Sequence, residues 1–218
     1  MDFGLYGSSG RLGKEVAACF SEKNHKLVYG YDLDGTNEIG NAEIIIDCSL
    51  PEVFDKSLNH AIELSVPFII AVTGLSPDQL IKLKTASDKI PVVQSFNFSV
   101  GVQVLLKLAS MANDILDGWD VEISETHHRF KKDKPSGTAK MIAESLKGRT
   151  PNISSLRLGN ISGDHTVYFG GLGETLSITH SAISRRTFAE GILLSAEFVM
   201  KKQRGLFTFT DVVFGETK

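Results

Sequence analysis

The stretch from Glu122 to Ala139, EISETHHRFKKDKPSGTA, gathers two adjacent histidines, three lysines, carboxylates and a Pro-Ser-Gly-Thr turn. A segment this polar buries little apolar surface, so its titratable groups point to chemistry rather than packing. His127 suits proton transfer, because histidine titrates near neutrality without a large environmental shift. Lys131, four residues on, brings a positive charge suited to holding an anion or to protonating a developing base. Pro135 and Ser136 mark a helix start, which puts the Gly137 and Thr138 N–H groups in a first turn whose dipole favours a carboxylate. The plainer reading, N-capping by Ser136, can coexist with an anion site. His127 and His128 could also be a surface or capping pair. Adjacent histidines on an extended segment point to opposite sides, and no third ligand has recognisable spacing, so no metal is expected. Arg129, Lys132 and Lys134 read as solvated charges.

A second constellation stands at the N-terminus, where strand-like residues 2–6 run into Gly7-Ser8-Ser9-Gly10-Arg11-Leu12-Gly13. Leu12, Val16, Cys19 and Phe20 then recur at helical spacing, and Lys26 to Tyr31 reads as a strand ending at Asp32. Glycines in such a turn let a dinucleotide pyrophosphate approach the backbone at the start of a helix, and an acid about twenty residues on accepts ribose hydroxyls. Ser9 stands where the strict pattern has glycine, and the alternative is an ordinary tight turn.

The elements that position these groups alternate. Between Asp32 and the strand Glu43 to Cys48 lie ten residues, with a turn signal at Asp34-Gly35-Thr36-Asn37. That is too short for a crossover helix, so a pared-down nucleotide-binding half is expected. Helix (Glu52 to Leu64), strand (Pro67 to Val72), helix (Pro77 to Ser87) and strand (Ile90 to Gln94) follow, which predicts a Rossmann-like, doubly wound parallel sheet. Ala71-Val72-Thr73-Gly74 and Ser95-Phe96-Asn97-Phe98-Ser99 fall at strand ends, where such sheets bind ligands, or else are polar turns. A helix (Val102 to Leu116) leads to a strand (Trp119 to Glu125), the polar loop, a helix to about Leu146, and three strand-like runs (Ser154 to Gly159, His165 to Phe169, Glu174 to His180). This second α+β unit is followed by a helix (Phe188 to Lys201) and a strand-like run (Leu206 to Phe214) that return to the first domain. The expected division is residues 1–98 plus about 185–218, and 99–184.

The chain has 218 residues, of which 42% are hydrophobic, enough for two modest cores. A net charge of −3 with interspersed signs offers no basic field for nucleic acid. Apolar runs are far shorter than the roughly 20 residues that span a bilayer, and no signal-peptide pattern follows Met1. Cys19 and Cys48 read as core thiols, although a Cys19–Cys48 bridge stays open. A soluble protein of the cytoplasm is expected.

His127-His128-Arg129-Phe130-Lys131-Lys132-Asp133-Lys134-Pro135-Ser136-Gly137-Thr138-Ala139 resembles the HHxxKxDxPSGTA signature of the dihydrodipicolinate (4-hydroxy-tetrahydrodipicolinate) reductases. Gly7 to Gly13, Asp47 to Glu52, Phe96 to Gly101, Arg157-Leu158-Gly159, Gly163-Asp164-His165, Thr179-His180-Ser181, Ser184-Arg185 and Gly205-Leu206-Phe207 resemble further blocks of that family in the same order. The resemblance implies reduction of 4-hydroxy-tetrahydrodipicolinate to tetrahydrodipicolinate with NADH or NADPH, in diaminopimelate and lysine biosynthesis. By the same resemblance, His127 and Lys131 are catalytic, while His128, Lys131, Gly137 and Thr138 hold substrate carboxylates. Gly7, Ser8, Ser9, Gly10, Arg11, Leu12, Asp32, Ala71, Val72, Thr73, Ser95, Phe96, Asn97 and Phe98 hold cofactor. It also implies a homotetramer joined through the second-domain sheets. With cofactor and substrate on different domains, closing them together would expel water and bring the reacting groups near, so domain closure about a hinge near Ser99 is expected. Asp32 repels a 2′-phosphate, and Leu33 stands where some members carry arginine, so NADH is expected to be preferred, with Arg11 a partial offset for NADPH. Two readings compete: a small amino-acid dehydrogenase, which needs no paired carboxylate cradles, and a nucleotide-sensing regulator, in which His127 and Lys131 would be replaceable.

Overall fold

The computed structural model describes residues 1–33 and 35–215. Asp34 of the expected turn, and residues 216–218 of the expected C-terminal segment, lie outside the described residues. The chain divides into two compact units, Met1–Phe98 with the segment from Phe188 onward, and Ser99–Thr187.

In the first unit β1 (Asp2–Tyr6), α1 (Arg11–Glu22), β2 (Lys26–Asp32), β3 (Gly35–Glu38) and β4 (Ile44–Asp47) come in order. A 3-10 turn (Pro51–Val53), α2 (Phe54–Leu64), β5 (Phe68–Ile70), α3 (Pro77–Ala86) and β6 (Pro91–Gln94) follow. The sheet order is β11-β6-β5-β4-β1-β2-β3, in which β11 is the late strand Gly205–Thr208, reached after α6 (Arg186–Val199). Every pairing is parallel except β2 with β3. The sequence of β4 explains the layering. Ile44 and Ile46 join one core with Val16, Cys19 and Phe20 of α1, whereas Ile45 joins another with Phe54 and Leu58 of α2 and Leu83 of α3. An unbroken apolar strand of this kind belongs to a sheet covered on both faces.

The short connection after Asp32 is resolved by β3. It pairs antiparallel with β2, from Tyr29↔Glu38 to Asp32↔Gly35, so the sheet edge is completed without a crossover helix. The expected terminal strand Leu206 to Phe214 is only half a strand. β11 pairs with β6, but Thr208 then accepts the Asp211 N–H while the Asp211 carboxylate accepts the Thr208 N–H, and the chain turns into α7 (Phe209–Phe214). This capping box outweighs the apolar alternation.

The second unit contains α4 (Val100–Ile115), β7 (Asp120–His127), α5 (Gly137–Ser145), β8 (Asn152–Arg157), β9 (Asp164–Gly170) and β10 (Thr175–Ser181). Its sheet runs β10-β9-β7-β8, with β7 and β8 parallel and the other neighbours antiparallel. Ile123, Val167 and Phe169 pack against Leu105 and Ala109 of α4 and Ala139 and Ile142 of α5. Ser124, Thr166, Tyr168 and Thr179 occupy the opposite face, where Ser124 bonds Tyr168 and Thr166 bonds Thr179. The expected strand ending at Glu125 continues through His127, so the polar stretch begins on a strand and only then becomes a loop.

Candidate active site

Strand alternation puts Ile123, Glu125 and His127 on the inner face of β7, where apolar packing gives way to a polar cluster. Glu125 has no exposed surface, a placement a carboxylate tolerates only with partners. Donors surround it. His127 Nδ1 lies 2.5 Å from Oε2, Arg157 donates through Nη1 and Nη2 at 2.9 and 2.8 Å, and the Ser136 N–H donates to Oε1 at 3.2 Å. Arg157 is the brace. Its remaining donors go to the carbonyls of Lys131, Leu156 and Asp133 at 3.3, 2.6 and 2.5 Å, so all five guanidinium N–H groups are used and the loop carrying Lys131 is tied to β8. Lys131 Nζ pairs with Asp133 at 2.8 Å.

His165 reaches the cluster from β9. Its ring lies 5.1 Å from that of His127, and its Nε2 is 3.2 Å from the Ser136 hydroxyl. Burial alone would raise the Glu125 carboxyl, but hydrogen bonds from Arg157, Ser155 and His127 overcome this and hold it at about 2. Burial pushes the His127 imidazole below the ordinary histidine value, and Glu125 opposes this without cancelling it. Burial, then the nearness of His127, takes His165 down to about 3, so it is a neutral ring. His127 therefore meets neutral solution mainly uncharged, with its Nε2 end beside Gly163. A Cβ at Gly163 would stand 3.0 Å from that nitrogen, and a backbone φ of +155° already favours glycine there.

The Ser136 hydroxyl accepts the Ala139 N–H at 3.2 Å, so the expected cap exists and Gly137 and Thr138 open the helix next to it. His128 is the first residue past β7; its carbonyl accepts the Lys131 N–H at 3.1 Å. Arg129, Lys132 and Lys134 are exposed.

In the first unit the remaining candidates gather at the carboxyl edge of the parallel sheet. Gly7 turns with φ +80°, and a Cβ there would lie 2.9 Å from the Cys48 carbonyl oxygen. At Gly13 it would lie 2.0 Å from the Gly7 oxygen, so α1 approaches β1 as closely as main chain allows. Gly10, the N-cap of α1, supplies no side-chain bond to the first turn. Asp32 is gripped by Ser8 Oγ at 2.5 Å, the Ser9 N–H at 3.0 Å and Ser9 Oγ at 2.8 Å. Burial would raise this carboxyl; the Ser8 and Ser9 bonds leave it below the usual range. Beside it Gly7, Ser9, Gly10, Asp32, Leu33 and Leu50 line a cavity of about 320 Å³. Ligand sites span roughly 300 to 1,000 Å³, so the cavity has room for part of a ligand, and the glycine cradle, helix end and acid are groups suited to a pyrophosphate and a ribose.

Ala71, Val72 and Thr73 follow β5, and Ser95, Phe96, Asn97 and Phe98 follow β6. Val72 and the Phe98 ring are core residues, the latter 5.2 Å from Phe209. The Leu12 side chain likewise packs on the core. Sequence reasoning assigned no role to Glu125, Arg157 or His165. The signal for Glu125 was present: two residues before His127 on a strand is the same face. Arg157 and His165 reach the cluster only through pairing, His127 with Arg157 across β7–β8 and Glu125 with His165 across β7–β9.

Family models described as dihydrodipicolinate reductase, N-terminus and C-terminus, match residues 1–98 and 101–213. A 4-hydroxy-tetrahydrodipicolinate reductase of Thermosipho africanus is 41% identical over 213 residues, covering 98% of this chain and 98% of its own. That relative has essentially the same length. The enzyme of the same name from Rickettsia bellii is 35% identical over 97% of this chain and 94% of its own. Among solved structures, dipicolinate-bound dihydrodipicolinate reductase from Paenisporosarcina sp. TG-14 superposes with a TM-score of 0.78 at 22% identity, covering 95% of this chain and 97% of its own, a likeness of fold. With both halves matched and full-length relatives above 30% identity, the chain belongs to the dihydrodipicolinate reductase family.

Proposed function

We propose that this chain reduces 4-hydroxy-tetrahydrodipicolinate to tetrahydrodipicolinate with a reduced nicotinamide dinucleotide, a step of diaminopimelate and lysine biosynthesis. The observation that carries the reading is the joining of His127, the Lys131 loop and the first turn of α5 by one buried network, in a chain 41% identical along its length to a named reductase. The Gly7 to Leu12 turn and the start of α1 hold the pyrophosphate, and Asp32 accepts ribose hydroxyls. Ala71, Val72, Thr73, Ser95, Phe96, Asn97 and Phe98 line the remainder of the cofactor site. When bound, the reduced nicotinamide supplies the hydride.

His128, Lys131, Gly137 and Thr138 hold the substrate carboxylates, and His127 and Lys131 handle the proton that neutralises charge left by reduction. His127 is mainly neutral in the free protein, so a dicarboxylate placed beside it raises its proton affinity and lets it arrive at the reaction as an acid. Substrate binding thus charges the group that the reaction discharges.

The ionised Asp32 and the uncharged Leu33 disfavour a 2′-phosphate, so NADH is preferred and NADPH is also used, with Arg11 a partial counterweight. The outward face of the second sheet, with Tyr168 and Leu156 each 43% exposed, supports assembly into a homotetramer through that face. Free Cys19 and Cys48 fit a reducing cytoplasm, and no helix among the described residues is long and apolar enough to cross a membrane.

The test supplies substrate from pyruvate and aspartate semialdehyde through dihydrodipicolinate synthase and follows NADH and NADPH absorbance. Oxidation of both, with the lower KM for NADH, is expected. Oxidation of neither would overturn the assignment, and a much lower KM for NADPH would overturn the preference.

A further inference from the structure

We propose that Glu125 is a positioning residue of this reaction, fixing the His127 ring with its proton on Nδ1 and tying that ring to the helix start that carries Gly137 and Thr138. The inference rests on the reading that His127 handles the proton. An ionised carboxylate only accepts hydrogen bonds, so the nitrogen 2.5 Å from Oε2 must carry a hydrogen and the reactive end of His127 is Nε2. The other oxygen, Oε1, takes the Ser136 N–H, one residue before Gly137. One rigid carboxylate therefore sets the distance between the proton-handling ring and the carboxylate cradle.

Arg157 makes the arrangement durable. Its two-pronged pairing at 2.8 and 2.9 Å keeps the charge on Glu125, so the proton stays with His127 rather than passing to the carboxylate. A role in stability alone explains less. A buried ion pair is weak evidence of stabilisation, and an Arg157–Glu125 brace would need no histidine on the same oxygen. The open side left at Gly163 falls on Nε2, the end that the Glu125 bond leaves available.

The experiment compares wild type with Glu125→Gln in the full chain. We expect kcat to fall at least about tenfold, the low end for partners that orient a reactive imidazole, with KM for NADH unchanged. The charged and titratable neighbours of His127 are Glu125 on the same strand, Arg157 from β8, His165 from β9, and Lys131 with Asp133 from the loop. Of these, Gln replaces the carboxylate that favours the charged ring. The limb of the kcat profile that falls with rising pH therefore moves to lower pH in Glu125→Gln.

Nitrogen NMR of the His127 ring gives an independent reading without turnover. In the wild type at neutral pH the proton is expected on Nδ1, and in Glu125→Gln the two tautomers mix. An unchanged kcat and pH limb in a folded Glu125→Gln, or a wild-type ring with bare Nδ1, would overturn the proposal. Should Glu125→Gln not fold, the wild-type tautomer decides. A wild type that oxidises neither cofactor would instead sink the reductase reading, and the ring measurement would still judge the Glu125–His127 arrangement.

Discussion

In the first unit the candidate cofactor site is built largely of main chain: the Gly7 turn, the uncapped start of α1, and Ser9 and Ser8 closing on the single acid Asp32. In the second unit the candidate substrate site is built of side chains, with Glu125 buried between His127 and Arg157 and the loop hung from the same guanidinium. Main chain placed by absent Cβ atoms tolerates no added bulk but carries little charge to misplace. A buried network tolerates little loss of charge, because each member is desolvated on account of the others.

Removing the brace should therefore do most damage. Arg157→Ala leaves Glu125 buried without its counter-ion and is expected to lower stability by about 3–5 kcal/mol, measured by denaturant unfolding. A loss below about 1 kcal/mol, the range of surface ion pairs, would mean that the network is not the keystone of the second unit. Gly163→Ala probes the same site without touching its charges. Its methyl would press on Nε2 of His127, which must give by a few tenths of an ångström, and would strain a backbone held at φ +155°, so kcat is expected to fall by about tenfold or more with NADH binding intact.

Gly13→Ala is the counterpart in the first unit. The added Cβ would overlap main chain at Gly7, so a loss of about 1–3 kcal/mol is expected together with weaker NADH binding. Fluorescence titration of NADH that finds unchanged affinity would break the contrast. The smallest effect belongs to Asp32→Asn, which keeps the side-chain shape, removes the charge and turns one of the two acceptor oxygens into an amide donor. The ratio of KM values should move toward NADPH by about tenfold, equivalent to about 1.4 kcal/mol.

Legibility in sequence follows the same division. Gly7, Gly10, Gly13 and Asp32 lie within one strand–helix–strand unit, so local spacing revealed them, as it did the helix start at Ser136. Glu125 closed the expected strand and was legible in principle by alternation, but its tie to His127 was hidden, because the density of charge made the residues after it read as loop although β7 continues to His127. Arg157 and His165 depend on which strands pair with β7, a choice made by tertiary packing. β3 and α7 were missed for a different reason. A four-residue exposed edge strand leaves no apolar period to detect, and the Thr208–Asp211 capping box ends an apolar alternation that otherwise reads as strand.

The division of labour between the two units is tested most directly by measuring NADH affinity and turnover on the same preparations of wild type, His127→Ala and Lys131→Ala. Both variants should bind NADH as the wild type does while kcat drops by about a hundredfold to ten-thousandfold, the range for losing a positioned acid or base. Turnover retained in both variants, or NADH affinity lost in step with turnover, would contradict the account.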